Sequence, residues 1–484
     1  MAATATDRRL WLGLGLALAA ITASGALAPG AKAAARPNIV FVLTDDLSWD
    51  LVRHMPQVRR LEREGTTFRQ FVVSDSLCCS SRATILTGEF PHDTRVLGNT
   101  PPLGGYSAFR RYGARLRSVA IALRRSGYRT ALLGKYLNGY QPDRTGPDPG
   151  WDEWFGSSYA YGGFGYRVSD NGRSMIAGYR PRDYVTDVLA RRAARFISRS
   201  DRRPFFTFIS TYAPHKPYTP APRHRWMLRH LRLPRGGAFD AQTLSAPGWL
   251  GRRRPLTGRQ RARLLCVYRL RARSVQAVDE MIGRLRATLR AAGAARNTFF
   301  VFSSDNGYHL GEHRLAEGKR TAFDHDIRVP LIVAGPGVPH GRVSRALTGT
   351  VDLAPTFERW ARLARDAGRD GHSLTPLLHR GKPRDWRRAL LIEHTDADVV
   401  SGDPDAQGWA QGRPPSYTAL RTHWTTYVEY ENGDREFYDR RRDPYELHNR
   451  AARLTSTQRA RLSAALARYR RCHGALSCWA AGEI

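Results

Sequence analysis

Lysine is scarce in this sequence: of its 77 basic residues only five are lysines, although the formal net charge is +34. They are Lys32, Lys135, Lys216, Lys319 and Lys382. The arginines are spread along the whole chain, and no recognised nucleic-acid-binding module accompanies them. We therefore attribute their number to the base composition of the genome and expect no nucleic-acid partner. The charge still favours anionic ligands. In a chain that so rarely uses lysine, each lysine is a candidate for a specific role.

Cysteine is also scarce, with five in 484 residues, which excludes a disulfide-dense scaffold. Cys472 and Cys478 lie close enough in the C-terminal tail to form a disulfide, and we predict that they pair. Cys266 lies among apolar residues and is predicted to be a buried thiol. The adjacent Cys78 and Cys79 have no such structural explanation, because a disulfide between neighbouring cysteines would close a strained ring.

Long apolar runs are missing too: no run in this sequence reaches the roughly 20 apolar residues that a membrane span needs. The run from Leu10 to Ile21 follows Arg8 and Arg9 and precedes small residues that end at Ala33. This order is typical of a cleaved secretory signal. We therefore predict a signal peptide over residues 1–33 and a secreted mature protein with no stable membrane anchor.

Short runs rich in apolar, β-branched and aromatic residues predict buried parallel strands. These runs are Asn38–Thr44, Thr130–Leu133, Phe205–Ser210, Thr298–Ser303 and Val329–Ala334. Helical patterns lie between them, the clearest from Leu264 to Leu289. The alternation predicts an α/β sheet covered by helices on both faces over residues 36–368, followed by a smaller α+β domain over residues 369–484.

Polar side chains follow four of these strands. In chain order they are Asp45, Asp46, Lys135, His215, Asp305 and Asn306. Because ligands bind outside the carboxyl ends of the strands in open α/β sheets, we expect these residues to converge on one pocket. The loop-like segments Arg223–Arg254 and Ser401–Pro415 are predicted to form its rim.

The acidic and amide residues of this set offer only oxygen ligands, which suit Ca²⁺ or Mg²⁺ better than zinc. Taken pair by pair, they are equally well explained as helix caps and turns. Arg82 lies four residues after Cys78 in a short helix predicted to end at Gly88, so Arg82, Cys78 and the helix N-terminus are predicted to face one ligand. Together with Lys135, His215 and Lys319, Arg82 supplies donors for a tetrahedral oxyanion.

Ordered motifs extend this pattern over most of the chain, from about Pro37 to Asn449. They are Pro37-Asn38-Ile39-Val40 before Asp45-Asp46, Cys78 to Gly88, Leu133-Gly134-Lys135-Tyr136-Leu137-Asn138, Ala213-Pro214-His215, Asp305-Asn306-Gly307, Leu310-Gly311-Glu312-His313, Glu317-Gly318-Lys319, Arg328-Val329-Pro330-Leu331 and Asp443-Pro444-Tyr445-Glu446-Leu447. The chain resembles the type I sulfatases of the arylsulfatase family, within the alkaline phosphatase-like superfamily. The resemblance implies a large, mixed, mainly parallel sheet sandwiched by helices, and hydrolysis of sulfate esters.

The resemblance also implies roles for individual residues. In that family a formylglycine-generating enzyme oxidises the cysteine at the position of Cys78 to formylglycine. The hydrated aldehyde of this formylglycine attacks the sulfur of the sulfate ester. One Ca²⁺, with Mg²⁺ less favoured, would be held by Asp45, Asp46, Asp305, Asn306 and the modified Cys78. Arg82 and Lys135 would stabilise the hydrate, while His215 and Lys319 would hold the sulfate or its leaving oxygen.

Two positions depart from the family pattern. Leu137 stands where many relatives have a histidine, and Ser80 stands where the maturation motif has proline or alanine. We expect a secreted sulfatase that acts on carbohydrate sulfates, because the Leu-Cys-Cys and Gly-Lys-Tyr-Leu-Asn segments resemble the glucosamine 6-sulfate branch. The alternatives are a phosphodiester or phosphonate monoester hydrolase of the same superfamily, and an unmodified, non-catalytic protein that binds anionic glycans.

Overall fold

The first apolar run forms a strand that is buried on both faces at the centre of the main sheet. Its side chains alternate between two cores: Ile39 and Phe41 pack on one face, and Val40 and Val42 on the other. Alternation with a period of two, combined with burial on both sides, explains why the run is apolar at every position.

The computed structural model describes residues 35–379, 383, 385–396 and 403–484, so the predicted signal peptide lies outside the described residues. The strands are β1 (Asn38–Thr44), β2 (Thr66–Val72), β3 (Arg129–Lys135), β4 (Glu153–Ser157), β5 (Arg167–Asp170), β6 (Arg173–Ile176), β7 (Phe205–Ser210), β8 (Thr298–Ser304), β9 (His309–Leu310), β10 (Glu317–Gly318), β11 (Leu331–Ala334), β12 (Arg342–Gly349), β13 (Ala389–His394), β14 (Tyr417–Thr422), β15 (Thr425–Tyr430) and β16 (Arg435–Asp439). The α-helices are α1 (Pro56–Glu64), α2 (Cys78–Thr87), α3 (Pro91–Thr94), α4 (Gly105–Arg111), α5 (Val119–Arg125), α6 (Val185–Ile197), α7 (Gly258–Ala291), α8 (Asp324–Ile327), α9 (Leu353–Trp360), α10 (Thr375–His379), α11 (Ser456–Tyr469) and α12 (Gly474–Ala481). None of the helices in this part of the chain has the length and apolarity to cross a lipid bilayer.

Among the described residues the main sheet has ten strands, in the order β12-β2-β11-β8-β1-β7-β3-β4-β5-β6. Its centre, from β8 to β4, is parallel throughout. Helices α2, α5 and α9 contribute to the core on one face, and α1, α6 and α7 to the core on the other. The predicted α/β class, with a large, mixed, mainly parallel sheet sandwiched by helices, is confirmed.

One strand runs in a direction that the sequence analysis gave wrongly. The run Val329–Ala334 was expected to be parallel, but its strand β11 is antiparallel to both of its neighbours, β2 and β8. An apolar run indicates burial on both faces and carries no information on direction. Because β8 ends at the carboxyl edge and β11 lies beside it, the chain re-enters the sheet from that same edge.

The helix predicted over Leu264–Leu289 is the body of α7, which begins after Thr257, whose side chain accepts a hydrogen bond from the Gln260 amide. The prediction that Cys266 is buried is wrong, because its side chain is exposed. Successive residues of an α-helix are about 100° apart, so position 266 faces away from the buried Leu264.

The C-terminal part contains the antiparallel sheet β13-β14-β15-β16, followed by α11 and α12. Residues of both, including Leu390 and Leu466, pack in the same core as one face of the main sheet. Residues 36–484 accordingly form one compact unit. The predicted Cys472–Cys478 disulfide is present. The division of the chain at residues 368 and 369 stays a prediction.

Gly134 precedes Lys135 in β3 and has no room for a side chain. Its φ is +112°, and a Cβ at this position would lie 1.9 Å from the carbonyl oxygen of Ser210 on β7. We expect Gly134→Ala to destabilise the fold by roughly 3 kcal/mol, because it adds backbone strain to a steric overlap. Thermal unfolding tests this against Gly146→Ala, a position where an added Cβ meets nothing within 4 Å. Equal melting temperatures for the two variants would contradict the expectation.

Candidate active site

The carboxyl ends of β1, β3, β7 and β8 lie side by side, and the polar residues that follow these strands meet there, as predicted. Each predicted site residue is no more than 2% exposed. Those residues are Asp45, Asp46, Cys78, Arg82, Lys135, His215, Asp305, Asn306 and Lys319. The convergence therefore creates a buried cluster of opposite charges rather than an open surface patch.

Helix α2 presents its first residue, Cys78, to this cluster, and it ends at Gly88 in the left-handed conformation, as predicted. The Cys78 Sγ lies 3.4 Å from Asp45 Oδ1 and 3.0 Å from Lys319 Nζ. Burial and the nearby carboxylate of Asp405 raise the pKa of the Cys78 thiol well above its ordinary value, although the charges of Lys135 and Lys319 oppose the shift. An unmodified Cys78 is thus held as a neutral thiol.

Asp45 and Asp305 are paired with cationic side chains from two other elements. Lys135 Nζ lies 2.9 and 2.7 Å from the two oxygens of Asp45, and Arg82 Nε donates to Asp305 Oδ2 at 2.8 Å. Burial favours the neutral carboxyl of Asp45, but the charges of Lys135, His215 and Arg82 outweigh it and lower its pKa. Arg82 Nη2 is buried, makes no hydrogen bond among the described residues and lies 3.6 Å from Asp45 Oδ1, so the guanidinium faces both carboxylates.

The remaining oxygen groups have the character of a divalent cation site. Ligand atoms of Asp45, Asp46, Cys78 and Asp305 lie within 4.8 Å of one another. Asn306 donates through Nδ2 to Asp46 Oδ1 at 2.7 Å, and its own buried Oδ1 has no partner in the described part of the chain. An unpartnered amide oxygen beside clustered carboxylates fits a hard cation such as Ca²⁺.

The raised pKa of Asp305 is consistent with the same conclusion. Burial, together with the charges of Asp45 and Asp46, raises the pKa of Asp305 to about 6, even though Arg82 lowers it. A carboxyl in this position is poorly stabilised as an anion by the side chains alone. A divalent cation bound beside Asp305 would stabilise the ionised form of this carboxyl.

Asp405 is a site residue that the sequence analysis missed. It is 2% exposed, and its Oδ1 lies 2.7 Å from His215 Nε2 and 2.7 Å from Lys319 Nζ. Burial alone would lower the pKa of His215, but the carboxylates of Asp405, Asp46 and Asp45 raise it, which favours the charged imidazolium. The only sequence indication was the prediction that the segment Ser401–Pro415 lines the pocket.

A cavity of about 390 Å³ reaches this cluster. Its walls include Asp46, Lys319, Tyr218, Tyr308, Arg263, Asp405, Gln407 and Gln411. The segment Ser401–Pro415 therefore contributes to the rim as predicted. The segment Arg223–Arg254 does not line this cavity within the described residues. Its first part runs along α7, where Arg269 and Arg273 donate to the carbonyls of Leu231 and Met227, and near its end Arg253 donates to the carbonyl of Trp409.

The two positions that depart from the sulfatase pattern are both buried. Ser80 lies in the first turn of α2, and its hydroxyl has no hydrogen-bond partner among the described residues. Leu137 packs within the apolar core. The next residue, Asn138, donates its amide to Cys79 Sγ at 3.1 Å. Cys79 is thereby fixed behind the cluster, and Leu137 brings no base to it.

A large, mixed, mainly parallel sheet with helices on both faces and a smaller antiparallel C-terminal sheet is the alkaline phosphatase-like fold. The family model for sulfatase matches residues 37–363, and the one for N-sulphoglucosamine sulphohydrolase, C-terminal, matches residues 311–471. The N-acetylglucosamine-6-sulfatase of Capra hircus is 32% identical over 478 residues, which cover 92% of this chain and 85% of that protein. The chain belongs to the sulfatase family and is a sulfuric ester hydrolase.

Solved structures share the fold at lower identity. One, solved in complex with its substrate D-glucosamine-2-N,6-O-disulfate, has a TM-score of 0.74 at 23% identity and covers 88% of this chain and 96% of that chain. The phosphonate monoester hydrolase of Silicibacter pomeroyi has a TM-score of 0.67 at 22% identity, with 88% and 93% covered. At such identities these two structures support the fold alone.

Asp405 accepts a hydrogen bond from His215 Nε2 and forms an ion pair with Lys319, the two side chains that the resemblance assigns to the sulfate. We expect Asp405→Ala to tighten the binding of inorganic sulfate by roughly tenfold, because a buried negative charge beside the anion position is removed. Isothermal titration with sulfate measures the change. Asp396→Ala, which removes an exposed partner of Arg413, is the control. Weaker sulfate binding by the Asp405 variant would contradict this role.

Proposed function

We propose that this sulfatase is secreted and hydrolyses sulfate monoesters of carbohydrates, using a formylglycine at position 78 and one bound Ca²⁺. The observation that carries the proposal is the position of Cys78. As the first residue of α2, 3.4 Å from Asp45 Oδ1 and 3.0 Å from Lys319 Nζ, it faces both the carboxylates and the cations. The raised pKa of its thiol is unfavourable for a thiolate nucleophile.

Conversion of Cys78 to formylglycine would place the oxygens of a hydrated aldehyde at this point, one to attack sulfur and one to help release sulfate afterwards. Arg82 and Lys135 border the same point and are suited to stabilise negative charge on those oxygens. Arg82 Nη2, which makes no hydrogen bond among the described residues and lies 3.6 Å from Asp45 Oδ1, is suited to this role. These two side chains therefore bind and orient the nucleophile.

The cation would be held by Asp45, Asp46, Asp305, Asn306 and the modified residue at position 78, with Mg²⁺ the less favoured ion. When bound, Ca²⁺ would polarise the sulfate oxygens. In the protein itself, Asn306 orients Asp46 through the hydrogen bond from Nδ2. The Asp46 amide in turn donates to Asp305 Oδ1 at 3.1 Å, which ties the β1 and β8 loops together.

His215 and Lys319 would act on the leaving side of the ester. His215 Nδ1 lies 2.7 Å from the carbonyl oxygen of Lys216, so this nitrogen carries a proton and Nε2 points into the site. The raised pKa of His215 keeps a proton on Nε2 as well, where it is available to the leaving oxygen. Lys319 contributes a second donor to the departing group.

The cavity beside the cluster supports a carbohydrate substrate. Its volume of about 390 Å³ is in the range of small-molecule sites. Tyr218 and Tyr308, whose hydroxyls lie 2.7 Å apart, provide ring surfaces, while Gln407 and Gln411 provide polar groups. With the N-acetylglucosamine-6-sulfatase of Capra hircus as a relative, these features favour a glucosamine 6-sulfate type of substrate.

Secretion is supported by the pattern of residues 1–33 and by the Cys472–Cys478 disulfide, which is typical of exported proteins. The formylglycine-generating enzyme is then a partner during maturation only. We expect mass spectrometry of protein from the culture medium to identify a mature N-terminus near residue 34.

Parallel assays with an aryl sulfate, an aryl phosphate and an aryl phosphonate monoester test the reaction class. We expect kcat/KM to be at least about a hundredfold higher for the sulfate, with the activity abolished in Cys78→Ala and substantially retained in Cys79→Ala. Cys79 is the matched control because it is the neighbouring buried thiol. A preference for the phosphonate would favour the phosphonate monoester hydrolase reaction, whose enzymes share this fold.

Mass analysis of the tryptic peptide Gln70–Arg82, from protein made in its native host, tests the modification. We expect a form lighter by about 18 Da than the thiol, located at Cys78 and not at Cys79. Ser80→Pro restores the usual residue of the maturation motif and is expected to keep or raise the converted fraction. An intact thiol in every molecule would favour a non-catalytic protein that binds anionic glycans.

A further inference from the structure

Arg271, in the middle of α7, is one of the largest fully buried side chains, with an exposure of 1%. Its Nη2 donates to the carbonyl oxygen of Asp46 at 2.6 Å, and its Nη1 to that of Pro214 at 3.4 Å. The guanidinium carbon lies 4.0 Å from the ring centroid of Tyr308. One side chain thus contacts the loops that follow β1, β7 and β8.

This guanidinium is buried without a carboxylate. Among the described residues Arg271 makes no ion pair, and its partners are main-chain carbonyls, the Ser48 hydroxyl and an aromatic face. Burying a charge without a counter-charge is unfavourable, and many apolar residues would fill this position in a helix. The arrangement is therefore better explained by what the guanidinium holds in place than by stability.

Asp46 is the residue that most needs to be held. Its φ is +64°, in the left-handed region that residues other than glycine adopt only when the surroundings enforce it. The amide of Asp46 is fixed by Asp305 Oδ1 at 3.1 Å, and its carbonyl by Arg271. With the amide fixed by Asp305, a change in φ of Asp46 would move its carbonyl away from Arg271 and redirect the Cα–Cβ bond that carries the carboxylate.

We propose that Arg271 is a positioning residue for the cation site: it fixes the left-handed backbone of Asp46 and so the direction of the Asp46 carboxylate. Through Pro214 and Tyr308 it also keeps the His215 loop and the Asn306 loop in register with Asp46. The inference rests on the proposed function, because the cation that Asp46 would bind is Ca²⁺. Arg271 touches no substrate in this role and acts only through these three loops.

Calorimetric titration of chelator-treated protein with Ca²⁺ tests the proposal. We expect Arg271→Met to weaken Ca²⁺ binding at least tenfold, and Arg271→Lys, which keeps the charge and one donor, to weaken it less. Arg269→Met and Arg273→Met are matched controls on the same helix, since each of these arginines donates to a main-chain carbonyl outside the site. Both controls should bind Ca²⁺ as the wild type does.

A second measurement separates positioning from general destabilisation. With an aryl sulfate at saturating Ca²⁺, we expect Arg271→Met to lower kcat more than tenfold and the two controls to leave it unchanged. If Arg271→Met does not fold, an intermediate Ca²⁺ affinity in Arg271→Lys carries the same information. Unchanged Ca²⁺ affinity in every folded Arg271 variant, or an equal loss of Ca²⁺ affinity in the controls, overturns the role of Arg271 and leaves the proposed function standing. A wild-type protein that binds no Ca²⁺ overturns the proposed metal and this inference with it.

Discussion

Mutual compensation of buried charge is the constraint on which the active site depends. Carboxylates and cationic side chains that are each almost fully buried would be costly to bring together singly, and they are tolerated because every one of them contacts an opposite charge or a polar group. Asp45 is ionised because Lys135 and Arg82 adjoin it. Removing one member leaves another uncompensated, so the cluster behaves as a unit.

The sequence predicted most of this cluster because the geometry of a parallel sheet is simple. Residues directly after two parallel strands such as β1 and β8 lie at the carboxyl edge of the sheet. The sequence alone therefore assigns Asp45 and Asp305 to this edge. Asp405 could not be placed in this way. It belongs to a loop between two strands of the C-terminal sheet, and its contacts with His215 and Lys319 depend on how that sheet packs. The direction of β11 was missed for a related reason, because a run of apolar residues indicates burial and does not indicate the path of the chain.

Composition decided which basic residues could be recognised. Lysine is rare in this chain, and both Lys135 and Lys319 proved to be buried in the site. Arginine is so frequent that its presence in the long helix α7 carries no information, and nothing in the sequence distinguishes Arg271 from Arg269 or Arg273. Only the packing of α7 against the strand-end loops separates the buried guanidinium from its exposed or half-buried neighbours.

Charge balance also links the cation to the anion in the proposed function. When all are ionised, the carboxylates of Asp45, Asp46, Asp305 and Asp405 form ion pairs with an equal number of cationic side chains. Those side chains are Arg82, Lys135, His215 and Lys319. A divalent cation added to this balanced set leaves two positive charges uncompensated in a poorly solvated site, which is unfavourable. A sulfate group offsets that excess, so each ligand increases the affinity for the other, as linkage requires. Asp405 opposes this coupling, because its carboxylate already occupies donors that the sulfate would use.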